Sequence, residues 1–354
     1  MNPSEKSKTR KTADFNPDGV GTTGANIFGL PFTTHEADVV IIPAPWDVTV
    51  SNSEGTCRGP EIILQQSPQI DLFDEVIDTP WKAGIAMEEI SPEIVSSNKI
   101  TRLKAKQYIT LLEADPQNQY RDDQKASLQE INRACESFYE HICSRAKENL
   151  ANNKLVVLVG GDHSTPLGLI RALADQHHEF GILHLDAHAD LRDAYMGFTH
   201  SHASIMFNVE KMASVKSIVQ VGLRDICQQE VDLIRSQPDR FHPFFARDIY
   251  RRLYDGDSWG RICDEIIEKL PSKVYVSFDI DCLEPSHCPN TGTPVPGGLS
   301  YSAALYLLEK LIDRQKTIIG FDLVETGPGE IDGVVACRLL YKTIALMLRS
   351  NKRI

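Results

Sequence analysis

Along most of the chain, apolar residues gather in short unbroken runs. These lie at 38–42 (DVVII), 154–159 (KLVVLV), 180–185 (FGILHL), 217–221 (SIVQV), 273–278 (KVYVSF) and 317–322 (TIIGFD). Runs this short and this rich in Val and Ile suit strands covered on both faces, where neither side can be polar. Elsewhere apolar positions return every three or four residues. Leu128, Ile131, Ala134, Cys135, Phe138 and Ile142 predict a long amphipathic helix over 126–149. Further helices are expected at 165–176, 227–236, 258–270, 302–313 and 333–348, and Pro60 suits the first turn of one more. Strands that alternate with helices predict an α/β fold: a single-domain three-layer α/β/α arrangement with a mostly parallel central sheet.

Two segments depart from this rhythm. Residues 1–30 are polar and contain Gly and Pro, which predicts a loosely packed N-terminal arm ahead of a domain over 31–354. Near 96–125 the chain turns charged and Gln/Asn-rich (ADPQNQYRDDQ), and a surface excursion is expected there. No internal repeat or low-complexity tract appears, so one large domain fits better than two.

Composition narrows the partners. The 354 residues hold 37 Lys plus Arg against 49 Asp plus Glu, a formal charge of −12. That balance argues against nucleic acid and against an anionic membrane surface. No apolar run approaches the ~18 residues of a membrane span. The N-terminal segment lacks the apolar stretch of a secretory signal, and the eight cysteines form no CxxC pair. A soluble cytoplasmic protein is expected.

The candidate chemistry lies just past three strands. In open parallel sheets, functional groups collect beyond the carboxyl ends of the strands. Here 154–159 runs into Gly160-Gly161-Asp162-His163-Ser164, 180–185 into Asp186-Ala187-His188-Ala189-Asp190, and 273–278 into Asp279-Ile280-Asp281. In extended chain the spacing of Asp186, His188 and Asp190 puts all three on one face. Acids crowded in this way repel one another, and a cation between them removes that cost. Caps and turns explain one DxD pair, but not three clusters at three strand ends. Four carboxylates with two imidazoles and no thiolate favour Mn-like ions, and four acids can neutralise two of them. This is the composition of a binuclear hydrolytic site that activates water at neutral pH.

GGDHS at 160–164, DAHAD at 186–190 and SFDIDCLEP at 277–285 resemble, in order, the signature blocks of the ureohydrolase family (arginases, agmatinases and their relatives). Gly55 to Pro60 and Gly292-Thr293-Pro294 to Pro296-Gly297-Gly298 are also similar, so the resemblance covers about residues 38–348. It implies an arginase-like fold and two Mn²⁺ per chain, with Ni²⁺ an alternative. One ion would be held by His163, Asp186, Asp190 and Asp279, the other by His188, Asp186, Asp279 and Asp281. Glu325 matches the residue that binds the guanidinium. His202 resembles the proton-shuttling histidine, with His200 a competitor. Asp190 counts with His202 and Glu325 among the catalytic residues. The implied reaction releases urea from a guanidino compound, agmatine first, and the implied assembly is a homo-oligomer, a trimer or hexamer.

Two departures bear on substrate. Arg192 stands where arginases carry Asn, which speaks against arginine and would suit a substrate carboxylate; a surface Arg paired with Asp193 is the competing view. Thr326-Gly327-Pro328-Gly329 replaces the usual sequence after the binding Glu. Formimidoylglutamate, guanidinobutyrate, guanidine and arginine stay open as substrates. A one-zinc deacetylase of related fold and a non-catalytic homologue are the alternatives from other classes.

Overall fold

A computed structural model describes residues 3–21 and 24–354. The described strands are β1 (Val39–Ala44), β2 (Ile85–Met87), β3 (Leu155–Gly160), β4 (Phe180–Leu185), β5 (Val215–Leu223), β6 (Phe241–Phe245), β7 (Lys273–Asp279) and β8 (Thr317–Val324). The described helices are α1 (Pro3–Asp14), α2 (Gly59–Gln66), α3 (Pro92–Ala114), α4 (Asp122–Ala151), α5 (Leu167–Gln176), α6 (Ile205–Val209), α7 (Gln228–Ser236), α8 (Ala246–Tyr254), α9 (Trp259–Glu268), α10 (Tyr301–Asp313) and α11 (Glu330–Ser350). The strands form one sheet in the order β2-β1-β3-β8-β7-β4-β5-β6, and every pairing is parallel.

Each face of the sheet carries its own core, which makes the three layers. Val157, Leu183, Val276 and Phe321 pack with Ile266 of α9, Leu307 of α10 and Ile344 of α11. On the other face, Val156, Leu158, Ile182 and Ile218 pack with Phe138 and Ile142 of α4 and Leu169 of α5. Burial of both faces is the reason the strand sequences are continuous in apolar residues. Trp46, just past β1, stacks on Phe138 with ring centroids 4.5 Å apart, a contact worth about 1 kcal/mol beyond its area.

The two strands missed by the apolar pattern are the edges. β2 has only three residues, and β6 carries Pro243 in FHPFF. Short strands and internal proline are both tolerated at an edge, where one side of the backbone goes unpaired.

The two irregular segments are more ordered than expected. The N-terminal arm contains α1, docked through charges: Lys8 pairs with Asp38 at 2.8 Å and Lys11 with Glu36 at 2.7 Å. Glu36 also accepts the Ser7 hydroxyl and both the amide and hydroxyl of Thr33. Ile27, Phe28 and Leu30, assigned to the same arm, are buried. The excursion is α3 and the start of α4. Asn98, Thr101, Ala105, Tyr108 and Ile109 form the buried face of α3. Its polar members hid the periodicity, because Asn98 is buried to hold Asp47: its amide donates to Asp47 Oδ1 at 3.0 Å, and its carbonyl accepts the Asp47 N–H at 2.9 Å. Among the described residues no helix is long and apolar enough to cross a membrane.

Glu36 yields a prediction. Burial alone would raise its carboxyl, but Lys11, Ser7 and Thr33 outweigh it and hold the pKa down to about 2, against an ordinary 4.5. A depressed acid contributes stability above its unfolded pKa and loses it as the pH falls through the folded one. Urea unfolding at pH 7 should find Glu36→Gln less stable by about 1–3 kcal/mol. The gap to the parent protein should close as the pH is lowered from 4.5 toward 2.

Candidate metal centre

The four central strands, β3, β8, β7 and β4, lie side by side and bring four polar strand ends together. After β3 the chain passes beneath Trp46: Gly161 N–H donates to Ala44 O, and Asp162 N–H to Trp46 O, both at 2.8 Å. A Cβ on Gly161 would stand 2.0 Å from Trp46 O, so only glycine lets the chain through. It then delivers His163, whose Nδ1 lies 2.9 Å from Asp186 Oδ2, 3.1 Å from Asp190 Oδ2 and 3.1 Å from Asp279 Oδ2. His188 Nδ1 lies 3.3 Å from Asp186 Oδ1 and 3.1 Å from Asp281 Oδ2. All six residues expected from the sequence therefore converge, with Asp186 shared between the two histidines. The extended-chain picture holds only in part. Asp190 has φ +53°, so a left-handed turn swings its carboxylate back into the cluster.

This cluster suits divalent cations. His163 Nδ1 is buried and has no hydrogen-bond partner, although three carboxylate oxygens surround it. Ligands ~2.1 Å from a six-coordinate ion stand ~3 Å from one another, which is the spacing seen here. Without a cation, the acids hold protons in the cluster. His163 is raised well above its usual range: burial opposes this, but Asp186, Asp190 and Asp279 prevail. His188 is likewise raised to about 12 against its burial, chiefly by Asp281 and Asp186. Asp190 rises to about 7, through burial and then the charge of Asp186.

Neighbouring side chains aim these groups. His163 Nε2 meets Ser277 Oγ at 2.9 Å, and Ser277 donates in turn to Asp322 Oδ1 at 3.3 Å. With its proton on Nε2, His163 presents a lone pair at Nδ1, the arrangement metal-binding histidines use. His184, inside β4, does more than fill the core. Gln220 Nε2 donates to its Nδ1 at 3.0 Å, and its Nε2 donates to Asp186 Oδ2 at 2.8 Å. It therefore fixes the carboxylate shared by His163 and His188. Arg224, unnoticed in the sequence, donates to the carbonyls of Asp281, Leu283 and Val295 and so clamps the loop after β7. It follows β5, and the strand-end rule applied there would have found it.

A cavity of about 180 Å³ opens onto the cluster, lined by Arg192, Tyr195, His202, Asp225, Thr293 and Glu325 among others. Glu325 sits at φ +59°, a strained position for a side-chain-bearing residue. Its Oε1 accepts the His163 N–H at 2.9 Å, while Oε2 is buried without a partner. Burial, and then Asp162, push this carboxyl well above its ordinary range. His202 lines the cavity. Burial, followed by the charges of His188, His163 and Arg102, lowers its imidazole to about 4. His200 turns away: its Nε2 pairs with Glu136 at 2.9 Å and its ring packs on Tyr139. Arg192 shows no ion pair with Asp193 among the described residues; its guanidinium lies 4.8 Å from the centre of the Tyr195 ring. Asp225 puts a largely exposed carboxylate at the rim, 3.9 Å from His188 Nε2. A wider hollow of about 700 Å³ between α4 and α5 lacks such a cluster, and its Lys147 and Asp175 pair with each other at 2.7 Å.

Comparison with known families matches residues 37–345 to the Arginase family. The chain is 32% identical over 314 residues to an N(1)-aminopropylagmatine ureohydrolase of Thermus thermophilus, covering 88% of this chain and 90% of that one. It is 28% identical over 302 residues to an agmatinase of Neisseria meningitidis, covering 84% and 82% respectively. Its fold superposes on the proclavaminate amidino hydrolase of Streptomyces clavuligerus with a TM-score of 0.71 at 23% identity, over 94% of this chain and all of that one.

A cation that binds here must displace the protons on His163 and His188, so affinity should rise with pH. Calorimetry of chelator-treated protein in buffers of different ionisation enthalpy should show proton release on adding Mn²⁺. At about 100 times its dissociation constant the ion should stabilise the fold by about 2.7 kcal/mol, read as a higher Tm. Asp186→Asn should abolish most of that gain.

Proposed function

The chain belongs to the arginase family, hydrolases of guanidino C–N bonds, and from that premise we propose that its substrate is a guanidinoalkylamine, agmatine first and N(1)-aminopropylagmatine as the extended form. The observation that carries this reading is Glu325 Oε2, a buried carboxyl oxygen without a hydrogen-bond partner, on a residue that lines the cavity beside the cluster. A guanidinium stays protonated at neutral pH and seeks such an oxygen for a charge-assisted hydrogen bond.

In this reading His163, Asp186, Asp190 and Asp279 hold one divalent ion, and His188, Asp186, Asp279 and Asp281 the other. Mn²⁺ is the ion proposed, since oxygen and imidazole donors without thiolate suit it. When bound, such a pair supplies a water acidic enough to act as a nucleophile at neutral pH. Glu325 holds the guanidinium with its carbon toward the cluster. Burial favours the neutral form of His202, which can accept the proton given up by the attacking water and pass it to the departing amine. Nδ1 lies 3.4 Å from Ser201 Oγ, which leaves Nε2 to carry that proton. Asp225 offers a carboxylate at the rim for the distal ammonium. A second reading has one observation in its favour: Arg192 lines the cavity with no acid partner among the described residues, and would suit a substrate ending in a carboxylate, such as guanidinobutyrate or formimidoylglutamate. The free state of all eight cysteines accords with a cytoplasmic site of action.

A substrate panel on Mn²⁺-loaded protein tests the choice. Urea should appear from agmatine or N(1)-aminopropylagmatine, and Asp225→Asn should raise KM for both. Formamide from formimidoylglutamate, with no urea from any guanidino compound, would overturn the reading. Glu325→Gln should lower kcat/KM by about a hundredfold while metal content, measured by elemental analysis, stays unchanged.

A further inference from the structure

The loop that carries His202 is gripped from two sides. On one side, Asn132, Glu136 and Tyr139 of α4, spaced to share a helix face, take hold of residues 197–200. Asn132 donates to Gly197 O at 3.1 Å and accepts the Thr199 N–H at 3.2 Å, Glu136 pairs with His200, and Tyr139 donates to His200 O at 3.2 Å. These contacts stop two residues short of His202. From the other side the buried Thr49 reaches its backbone: Thr49 Oγ1 accepts the His202 N–H at 3.2 Å and itself donates to Asp162 Oδ2 at 3.4 Å.

We propose that Thr49 is a positioning residue for the proton-carrying histidine, with its hydroxyl oriented by Asp162. A hydroxyl has one hydrogen and two acceptor sites, so its direction depends on what takes the hydrogen. Asp162 is an acceptor placed to do so. Its other oxygen, Oδ1, is occupied by the amide and hydroxyl of Ser164, which leaves Oδ2 for Thr49. Thr49 then presents a lone pair to His202 N–H and fixes where the imidazole enters the cavity. The same loop is braced at its base, where Asp47 Oδ2 accepts Gly55 N–H at 3.0 Å and Asp47 Oδ1 accepts from Asn98. The β1–α2 loop thus reaches the His202 N–H through one hydrogen bond, while α4, Arg192 N–H on Ala203 O and Asn208 on Thr199 O and Ser204 O hold the residues on either side.

This proposal rests on the reading of His202 as the proton carrier, and the test separates the two. Urea release is followed on Mn²⁺-loaded protein with whichever of agmatine and N(1)-aminopropylagmatine turns over. His202→Ala should lower kcat about a hundredfold. If it does not, the shuttle reading fails and the proposal with it. Thr49→Val, which keeps shape but removes the acceptor, should lower kcat about tenfold with KM and metal content little changed, and should lower Tm modestly because buried polar groups lose their partner. Thr49→Ser should restore most of the rate. The double variant Thr49→Val/His202→Ala should be no slower than His202→Ala alone, because the two act through one atom path. A Thr49→Val rate equal to the parent's, or a tenfold loss repeated in the His202→Ala background, would overturn the proposal. Should Thr49→Val fail to fold, Thr49→Ala carries the same comparison.

Discussion

Four buried aspartates at 186, 190, 279 and 281 stand around two histidines, and their mutual repulsion is the constraint that organises this protein. Like charges a few ångströms apart in a poorly polarisable interior cost far more than the same charges at a surface. Protonated His163 and His188 offset part of that cost, and divalent cations are the natural remainder. The neighbouring structure reads as the means of holding the carboxylates in place despite the repulsion. Arg224 pins the backbone carbonyls of 281, 283 and 295, His184 grips Asp186, and the Ser277–Asp322 pair fixes His163 from behind.

The sheet makes this crowding possible. Parallel strands all release their chains at one edge, and the four central strands here bring the cluster and Glu325 side by side. Backbone strain completes the convergence: Asp190 and Glu325, both at positive φ, are two carboxyl groups that straight strand extensions would have aimed elsewhere. Strain concentrated at a site is tolerated where the surrounding packing over-determines the backbone. Here Glu325 is tied at its N–H to Gly161 O at 2.8 Å and at its carbonyl by Thr291 Oγ1 at 2.8 Å.

What could be read in advance followed from local chemistry. The six buried strands announce themselves because each must be apolar on both faces, and the clusters after three of them because adjacent acids and histidines have few other uses. Reading failed where the stabilising groups are polar or the element lies at an edge. The helix α1 is held by Lys8, Lys11 and Ser7 rather than by an apolar stripe, α3 buries Asn98 and Thr101, and β6 contains a proline. The choice between His200 and His202 was equally closed to sequence, since both lie in one loop and only packing against Glu136 and Tyr139 turns the first away.

By itself the sequence determined the fold class, the family and the six residues of the cluster, because the spacing of apolar runs and of charged groups at strand ends is local and repeats within a few residues. Tertiary structure alone decided the strand order that joins residues more than a hundred positions apart, such as His163 and Asp279. It also decided that Asp186 serves both histidines, and that Glu325 keeps one oxygen free. Those outcomes depend on register and on left-handed turns, and neither leaves a pattern in the order of the residues.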